Sequence, residues 1–97
     1  MISEVQKKVI VEKLYPFNPA MIGIFGSYAR NEQTGKSDMD ILVEFNKTVN
    51  LLDIIGVENA LSESLGVKVD LVTSKFVHSY LAPHIKEDFQ VIYHAEK

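Results

Sequence analysis

Cysteine is absent from this chain of 97 residues, and arginine occurs only once, as Arg30. Without cysteine, a disulfide scaffold, a thiol nucleophile and a Cys-ligated zinc site are all excluded. A small chain that has no disulfides fits a reducing interior, so we expect a cytoplasmic protein. The histidines, His78, His84 and His94, lack the H-x-x-x-H spacing of a zinc site, which favours surface or packing roles for them.

Clustered positive charge and long apolar runs are also lacking. The net charge is −3 at pH 7, whereas proteins that hold a polyanion carry clusters of Lys and Arg, so a nucleic-acid partner is not expected. No apolar stretch approaches the roughly 20 residues that span a bilayer, and charges interrupt the N-terminal apolar residues, so neither a membrane span nor a signal peptide is expected. The remaining composition, 46% hydrophobic and 24% charged, is typical of one small globular domain over residues 1–97.

Hydrophobic periodicity and capping residues predict that helices and strands alternate along the chain. The predicted helices cover residues 3–14, 27–33, 51–65 and 82–88, and the predicted strands cover residues 20–25, 40–45, 67–73 and 89–93. Ser3 and Gln6 have capping-box spacing, and Asn50 and Gly66 are suited to begin and end the third helix. This order predicts an α+β (two-layer α/β) fold, in which helices flank a small mixed sheet of about four strands.

Gly26 and Ser27 directly follow the first predicted strand. At a helix start the free N–H groups point outward and the helix dipole favours anions. Gly26 would let a phosphate approach the backbone closely, and the Ser27 hydroxyl can donate to a phosphate oxygen. Such turns are common, and neither G-x-x-x-x-G-K-[ST] nor G-x-G-x-x-G occurs in the chain, so this turn alone is weak evidence for phosphate binding.

Two aspartates, Asp38 and Asp40, begin the second predicted strand after a gap of ten residues, 28–37. Side chains two positions apart on an extended chain share a face, so the two carboxylates would converge. They would repel each other, and a divalent cation such as Mg²⁺ would relieve that repulsion. The alternative is that Asp38 caps a turn and Asp40 faces solvent at a strand start.

A third acid, Asp70, interrupts an otherwise apolar strand. A carboxylate buried there without a partner would cost several kcal/mol. Either Asp70 pairs with Lys68 or another cation at a sheet face, or it joins a metal site. A neighbouring strand that carries D-x-D favours the metal site.

Together, Phe25-Gly26-Ser27, the ten-residue gap and Asp38-Met39-Asp40-Ile41 resemble the signature of the DNA polymerase β-like nucleotidyltransferase superfamily. The stretch 25–30, FGSYAR, and the SDxD stretch 37–40 are most similar to the minimal nucleotidyltransferases. These are small prokaryotic proteins that commonly accompany a helical HEPN-domain toxin. The resemblance covers nearly the whole chain and implies the polymerase β-like nucleotidyltransferase fold.

The resemblance implies a catalytic and metal-binding role for Asp38, Asp40 and Asp70. They would hold two Mg²⁺ ions about 3.5–4 Å apart. Gly26 and Ser27 would hold the β- and γ-phosphates of a nucleoside triphosphate. Asp70 would also help to deprotonate an acceptor hydroxyl.

Two further residues are candidates for nucleotide binding. Arg30 lies one helical turn after Ser27 and could reach the triphosphate. It could equally pair with Glu32, Glu44 or a partner surface. Ser37 is the other candidate, although a local cap or hydrogen bond would also explain it.

The activity that the resemblance implies is Mg²⁺-dependent transfer of AMP from ATP to a hydroxyl group, often of tyrosine, on a HEPN toxin. The chain would then be the antitoxin. One alternative is a catalytically silent antitoxin that neutralises its partner by binding. Another is a subunit of an antibiotic nucleotidyltransferase, whose relatives usually need a helical substrate domain that is missing here. The apolar positions of helix 51–65 occupy more than one stripe, so some could form a partner surface in a homo- or hetero-oligomer.

Overall fold

The computed structural model describes residues 3–28, 38–73 and 89–95. Within these ranges the chain forms two α-helices and four β-strands. In chain order they are α1 (Glu4–Leu14), β1 (Pro19–Phe25), β2 (Met39–Phe45), α2 (Leu51–Leu65), β3 (Val69–Thr73) and β4 (Gln90–His94). Short 3₁₀ turns follow α1 and β1, at Tyr15–Phe17 and Gly26–Tyr28. Neither of the two helices is both long and apolar enough to cross a bilayer.

Both helices begin at the side-chain caps that the sequence predicts. Ser3 and Gln6 form a complete capping box at the start of α1. The Asn50 side chain accepts the Leu52 N–H at 2.7 Å and so begins α2. Gly66, at φ 71°, takes the left-handed conformation that ends α2. The predicted bounds of α2 are therefore confirmed, and α1 begins one residue later than predicted.

The strands differ from their predicted bounds by one or two residues. β1 begins at Pro19 and β2 at Met39, each one residue earlier than predicted, and β4 is displaced by one residue. β3 begins two residues later than predicted, because residues 66–67 turn the chain out of α2. The predicted helix over 82–88 and residues 29–33 of the predicted helix over 27–33 lie outside the described residues.

The four strands form one mixed sheet in the order β3-β2-β1-β4. The central strand β1 runs antiparallel to both β2 and β4, whereas β2 and β3 run parallel. A parallel pair needs a long crossover connection, and α2 lies in the crossover between β2 and β3. The predicted mixed sheet of four strands is therefore confirmed.

Both helices pack on one face of this sheet and form the main core with it. Ile10 and Leu14 of α1 and Val57 and Leu61 of α2 are buried there. They contact alternate strand residues, namely Ile22, Ile24, Met39, Ile41, Val43, Val69 and Leu71. Because strand side chains alternate between faces, the intervening residues of β2 and β3 point to the face that these helices leave uncovered.

A smaller apolar cluster lies on that second face. Phe25 and Leu42 are buried in it, with Met21, Val72 and Phe89 packed around them. A Cβ at Gly23 would overlap the ring of Phe89, so this ring lies directly against the backbone of β1. The glycine therefore permits an aromatic side chain to cover the middle of the sheet.

Candidate functional site

Pairing between β2 and β3 brings two of the predicted acids side by side. Asp40 and Asp70 are direct partners in the parallel register. Neighbouring partners in a sheet point to the same face, and the alternation of β2 puts that face opposite α1 and α2. Asp70 therefore lies beside Asp40 on the second face and does not point away from it.

Asp38 lies just before β2 and reaches the same place. Its side chain hydrogen-bonds to that of Asp70. The Lys68 Nζ lies 3.9 Å from an Asp38 carboxylate oxygen, and these side chains are 72% and 42% exposed. An exposed ion pair of this length stabilises the fold little. Lys68 therefore lies close to the acids, and its charge opposes the rise in the pKa of Asp70.

The surroundings of Asp70 at this edge of the sheet raise its pKa. Burial raises the pKa of Asp70 above its ordinary value of 3.8, the charge of Lys68 lowers it, and the charges of Asp38 and Glu58 raise it. The hydrogen bond with Asp38 raises this pKa further. A carboxylate with a raised pKa accepts a proton more readily than an ordinary one, and a cation would relieve the same crowding of negative charge.

Gly26 closes the site from the side of β1. Phe25 pairs with Asp40, so the turn that follows β1 lies next to the start of β2. Gly26 has φ 75°, which favours glycine, and a Cβ there would overlap the Asp40 carboxylate. The backbone of the turn and the carboxylate are therefore in direct contact.

Several predicted nucleotide-binding groups cannot be placed. The backbone of Ser27 lies in the 3₁₀ turn Gly26–Tyr28. The Ser27 side chain, Arg30 and Ser37 lie outside the part of the chain that the structure describes. Their roles stay predictions.

The described residues contain no group of three or more acidic or histidine side chains close enough to hold a metal ion. The three predicted acids meet in pairs: Asp38 contacts Asp70, and Asp70 lies beside Asp40. Mg²⁺ commonly uses one or two carboxylates together with substrate phosphates instead of a closed protein cage. Oxygen donors from two strands beside a glycine turn fit that mode of binding.

Sequence reasoning missed Glu58. This residue of α2 accepts the Leu71 N–H with a carboxylate oxygen at 2.7 Å, and its charge acts on Asp70. The sequence signal for Glu58 was its place between the core positions Val57 and Leu61. An acid there is not explained by a helix face that is fully exposed to solvent.

Two other features lie away from the acids. Leu51, Leu52 and Ile55 are 66%, 75% and 43% exposed, which confirms that part of the apolar surface of α2 is outside the core. A role for it in partner binding stays a prediction.

A cavity of about 460 Å³ opens at the opposite end of β2, lined by Glu44 and the exposed His94 among others. The surface position expected for this histidine is confirmed.

Comparison with known proteins identifies relatives of the whole fold. Residues 5–92 match the family described as "Nucleotidyltransferase domain". MJ0126 of Methanocaldococcus jannaschii, a candidate protein adenylyltransferase, is 44% identical over 88 residues, which cover 90% of each chain. The protein adenylyltransferase MntA of Thermococcus cleftensis is 44% identical over 66 residues, 68% of this chain and 67% of that protein.

Solved structures share the same arrangement of helices and strands. A toxin–antitoxin structure with AMP-PNP has a TM-score of 0.82 at 23% identity, covering 93% of this chain and 74% of that chain. A tri-AMPylated HEPN toxin of Shewanella oneidensis in complex with an MNT antitoxin gives a TM-score of 0.77 at 20% identity, covering 97% of this chain and 74% of that chain. At these identities the likeness shows the fold. The family match over residues 5–92, together with the 44% identity to MJ0126, shows that the chain belongs to the nucleotidyltransferase domain family.

Proposed function

We propose that this nucleotidyltransferase uses Mg²⁺ to transfer AMP from ATP to a hydroxyl group of a HEPN toxin, and that it thereby acts as the antitoxin. One observation carries the proposal: Gly26 contacts the Asp40 carboxylate, and Asp70 lies beside Asp40 on the neighbouring strand. Relatives support the choice of group and acceptor. One is a protein adenylyltransferase, and a structural neighbour contains an AMPylated HEPN toxin with its antitoxin.

The turn after β1 would bind the triphosphate. The missing side chain of Gly26 leaves room for the Asp40 carboxylate against the turn, and the phosphates would bind the backbone N–H groups of the same turn. We assign Ser27 to the same phosphates through its hydroxyl, and Arg30 and Ser37 to the nucleotide as further donors. These groups orient the α-phosphorus for attack, and positioning is the main protein contribution in reactions of this kind.

The acids would supply the rest of the chemistry. Asp38, Asp40 and Asp70 would hold Mg²⁺, two ions in this proposal, which offsets the charge of the triphosphate. Asp70 would accept the proton of the acceptor hydroxyl as the oxygen attacks the α-phosphorus. The bond from that phosphorus to the bridging oxygen breaks, AMP stays on the acceptor and pyrophosphate leaves.

The acceptor and the setting are part of the same proposal. Residues 1–97 would act as one nucleotidyltransferase domain, to which the partner protein brings the reacting hydroxyl. The cytoplasm supplies ATP and Mg²⁺, and the absence of cysteine accords with a reducing compartment.

Labelling with [α-³²P]ATP tests the proposal. We expect the purified chain, with Mg²⁺, to label a HEPN-domain protein encoded beside it, and EDTA to stop the reaction. Asp38→Asn and Asp40→Asn should each lower the rate by about 100-fold or more, the usual effect of removing one charge-stabilising group. Glu44→Gln is the matched control, since this exposed acid lies on β2 away from the turn, and it should label at the wild-type rate.

Two outcomes would overturn the proposal. If the wild-type chain labels nothing and the Asp38→Asn, Asp40→Asn double variant still neutralises the toxin, the chain acts by binding alone. If label appears on an added aminoglycoside and not on the HEPN protein, the substrate class is wrong. Circular dichroism of each variant shows whether a loss of labelling reflects unfolding.

A further inference from the structure

The strand that carries Asp70 lies at the end of the sheet. Among the described strands, β3 pairs with β2 alone. Consecutive N–H groups of a strand point to opposite edges, so those of Val69 and Leu71 point away from β2. Without acceptors for these outward N–H groups, β3 would be held in the sheet from the side of β2 only.

Side chains of α2 satisfy both of these outward N–H groups. The Glu58 carboxylate accepts the Leu71 N–H at 2.7 Å. The Ser62 hydroxyl accepts the Val69 N–H at 2.9 Å and donates to the Glu58 carbonyl oxygen at 3.0 Å. The two acceptors therefore bond to the residues on either side of Asp70.

The spacing of this pair matches that of the strand. Residues four apart on a helix are separated by about 6 Å along its axis, and residues two apart on a strand by about 6.6 Å. Glu58 and Ser62 can thus meet two successive outward N–H groups of a strand that runs antiparallel to α2.

We propose that Glu58 is a positioning residue: by accepting the Leu71 N–H, it fixes the position of β3 against α2 and so holds Asp70 beside Asp40. Its bond is the stronger of the two, because a carboxylate is a better acceptor than a hydroxyl. The charge of Glu58 also contributes to the raised pKa of Asp70. The catalytic consequence rests on the proposed function, whereas the contact between Glu58 and β3 does not.

Glu58→Ala and Glu58→Gln separate the hydrogen bond from the charge. At a temperature where circular dichroism shows every variant folded, Glu58→Ala should lower kcat for AMP transfer by about 10- to 100-fold, the usual cost of a small misplacement. KM for ATP should stay within about threefold, because the turn at Gly26 is untouched. Glu58→Gln keeps an acceptor oxygen and should recover most of the lost kcat. Glu63→Ala removes an exposed acid from the same helix and should behave as wild type.

Amide hydrogen exchange tests the contact between Glu58 and Leu71 without any measurement of activity. The Leu71 N–H should exchange about tenfold faster in Glu58→Ala than in Glu58→Gln, as expected when an acceptor is lost. A wild-type chain that transfers no AMP would defeat the proposed function and leave this measurement intact.

Unchanged Leu71 exchange, unchanged kcat in Glu58→Ala, or equal loss of kcat in the Gln and Ala variants would each overturn the positioning role. If Glu58→Ala does not fold, Ser62→Ala is measured instead: faster Val69 exchange with lower kcat supports the proposal, and a wild-type result contradicts it.

Discussion

Gly26→Ala is the substitution that tests the candidate site most directly. Alanine there is unfavourable for two reasons: the backbone has to keep a positive φ of 75°, and the new Cβ overlaps the carboxylate of Asp40. The first affects the stability of the fold. The second displaces an acid that the proposed mechanism requires.

Gly66→Ala isolates the effect of the positive φ. Gly66 has nearly the same φ, 71°, and a Cβ there would meet no atom within 4 Å. Holding alanine in the left-handed region costs about 1–2 kcal/mol. For a domain of this size that lowers the melting temperature by about 5–15 °C. Both variants should therefore lose stability by a similar amount from the backbone alone.

Activity separates the two variants. Relief of the overlap at Gly26 must move the Asp40 carboxylate or the turn itself, and a shift of about 1 Å in a reacting group costs about 100-fold in rate. Measured by HEPN labelling below both melting temperatures, Gly26→Ala should lose about 100-fold and Gly66→Ala should stay near wild type. Equal activity in the two variants would refute the idea that Gly26 and Asp40 form one site.

Two further predictions concern stability. Because the pKa of Asp70 is raised in the folded chain, its contribution to stability is full below its ordinary pKa and falls as pH rises through the raised pKa. Asp70→Asn should therefore have a higher urea midpoint than wild type at pH 7, with the gain fading in acid; a gain that persists in acid would contradict this. Gly23→Ala should cost about 1–3 kcal/mol, because the new Cβ overlaps the Phe89 ring. In a Phe89→Ala background that cost should largely vanish, and thermal unfolding of the four-member cycle measures whether it does.

Local signals explain which parts of the fold the sequence predicts well. The capping box at Ser3 and the caps at Asn50 and Gly66 act through neighbouring residues, so both helices start and end within one residue of prediction. The strands follow from apolar runs, but their ends differ because pairing partners decide them. Met39, for example, joins the ladder by donating its N–H to the Lys68 carbonyl at 2.8 Å.

Long-range geometry explains what the sequence could not supply. The D-x-D spacing predicts that Asp38 and Asp40 lie together, but only the parallel pairing of β2 with β3 puts Asp70 opposite Asp40. The role of Glu58 depends on how α2 docks against the edge of β3. An acid between Val57 and Leu61 indicates a position close to the core, but no spacing within α2 specifies which N–H group that acid meets.

The main core and the acids lie on opposite faces of the sheet, and this separation has a practical consequence. The interior against the helices contains Ile10, Leu14 and Leu61, whereas the acids lie on the reverse side. Repacking this interior can raise heat resistance without altering the chemistry, provided that the strands keep their alignment. Thermal stability and turnover could therefore be optimised in separate libraries of variants, and the best substitutions from each could then be combined.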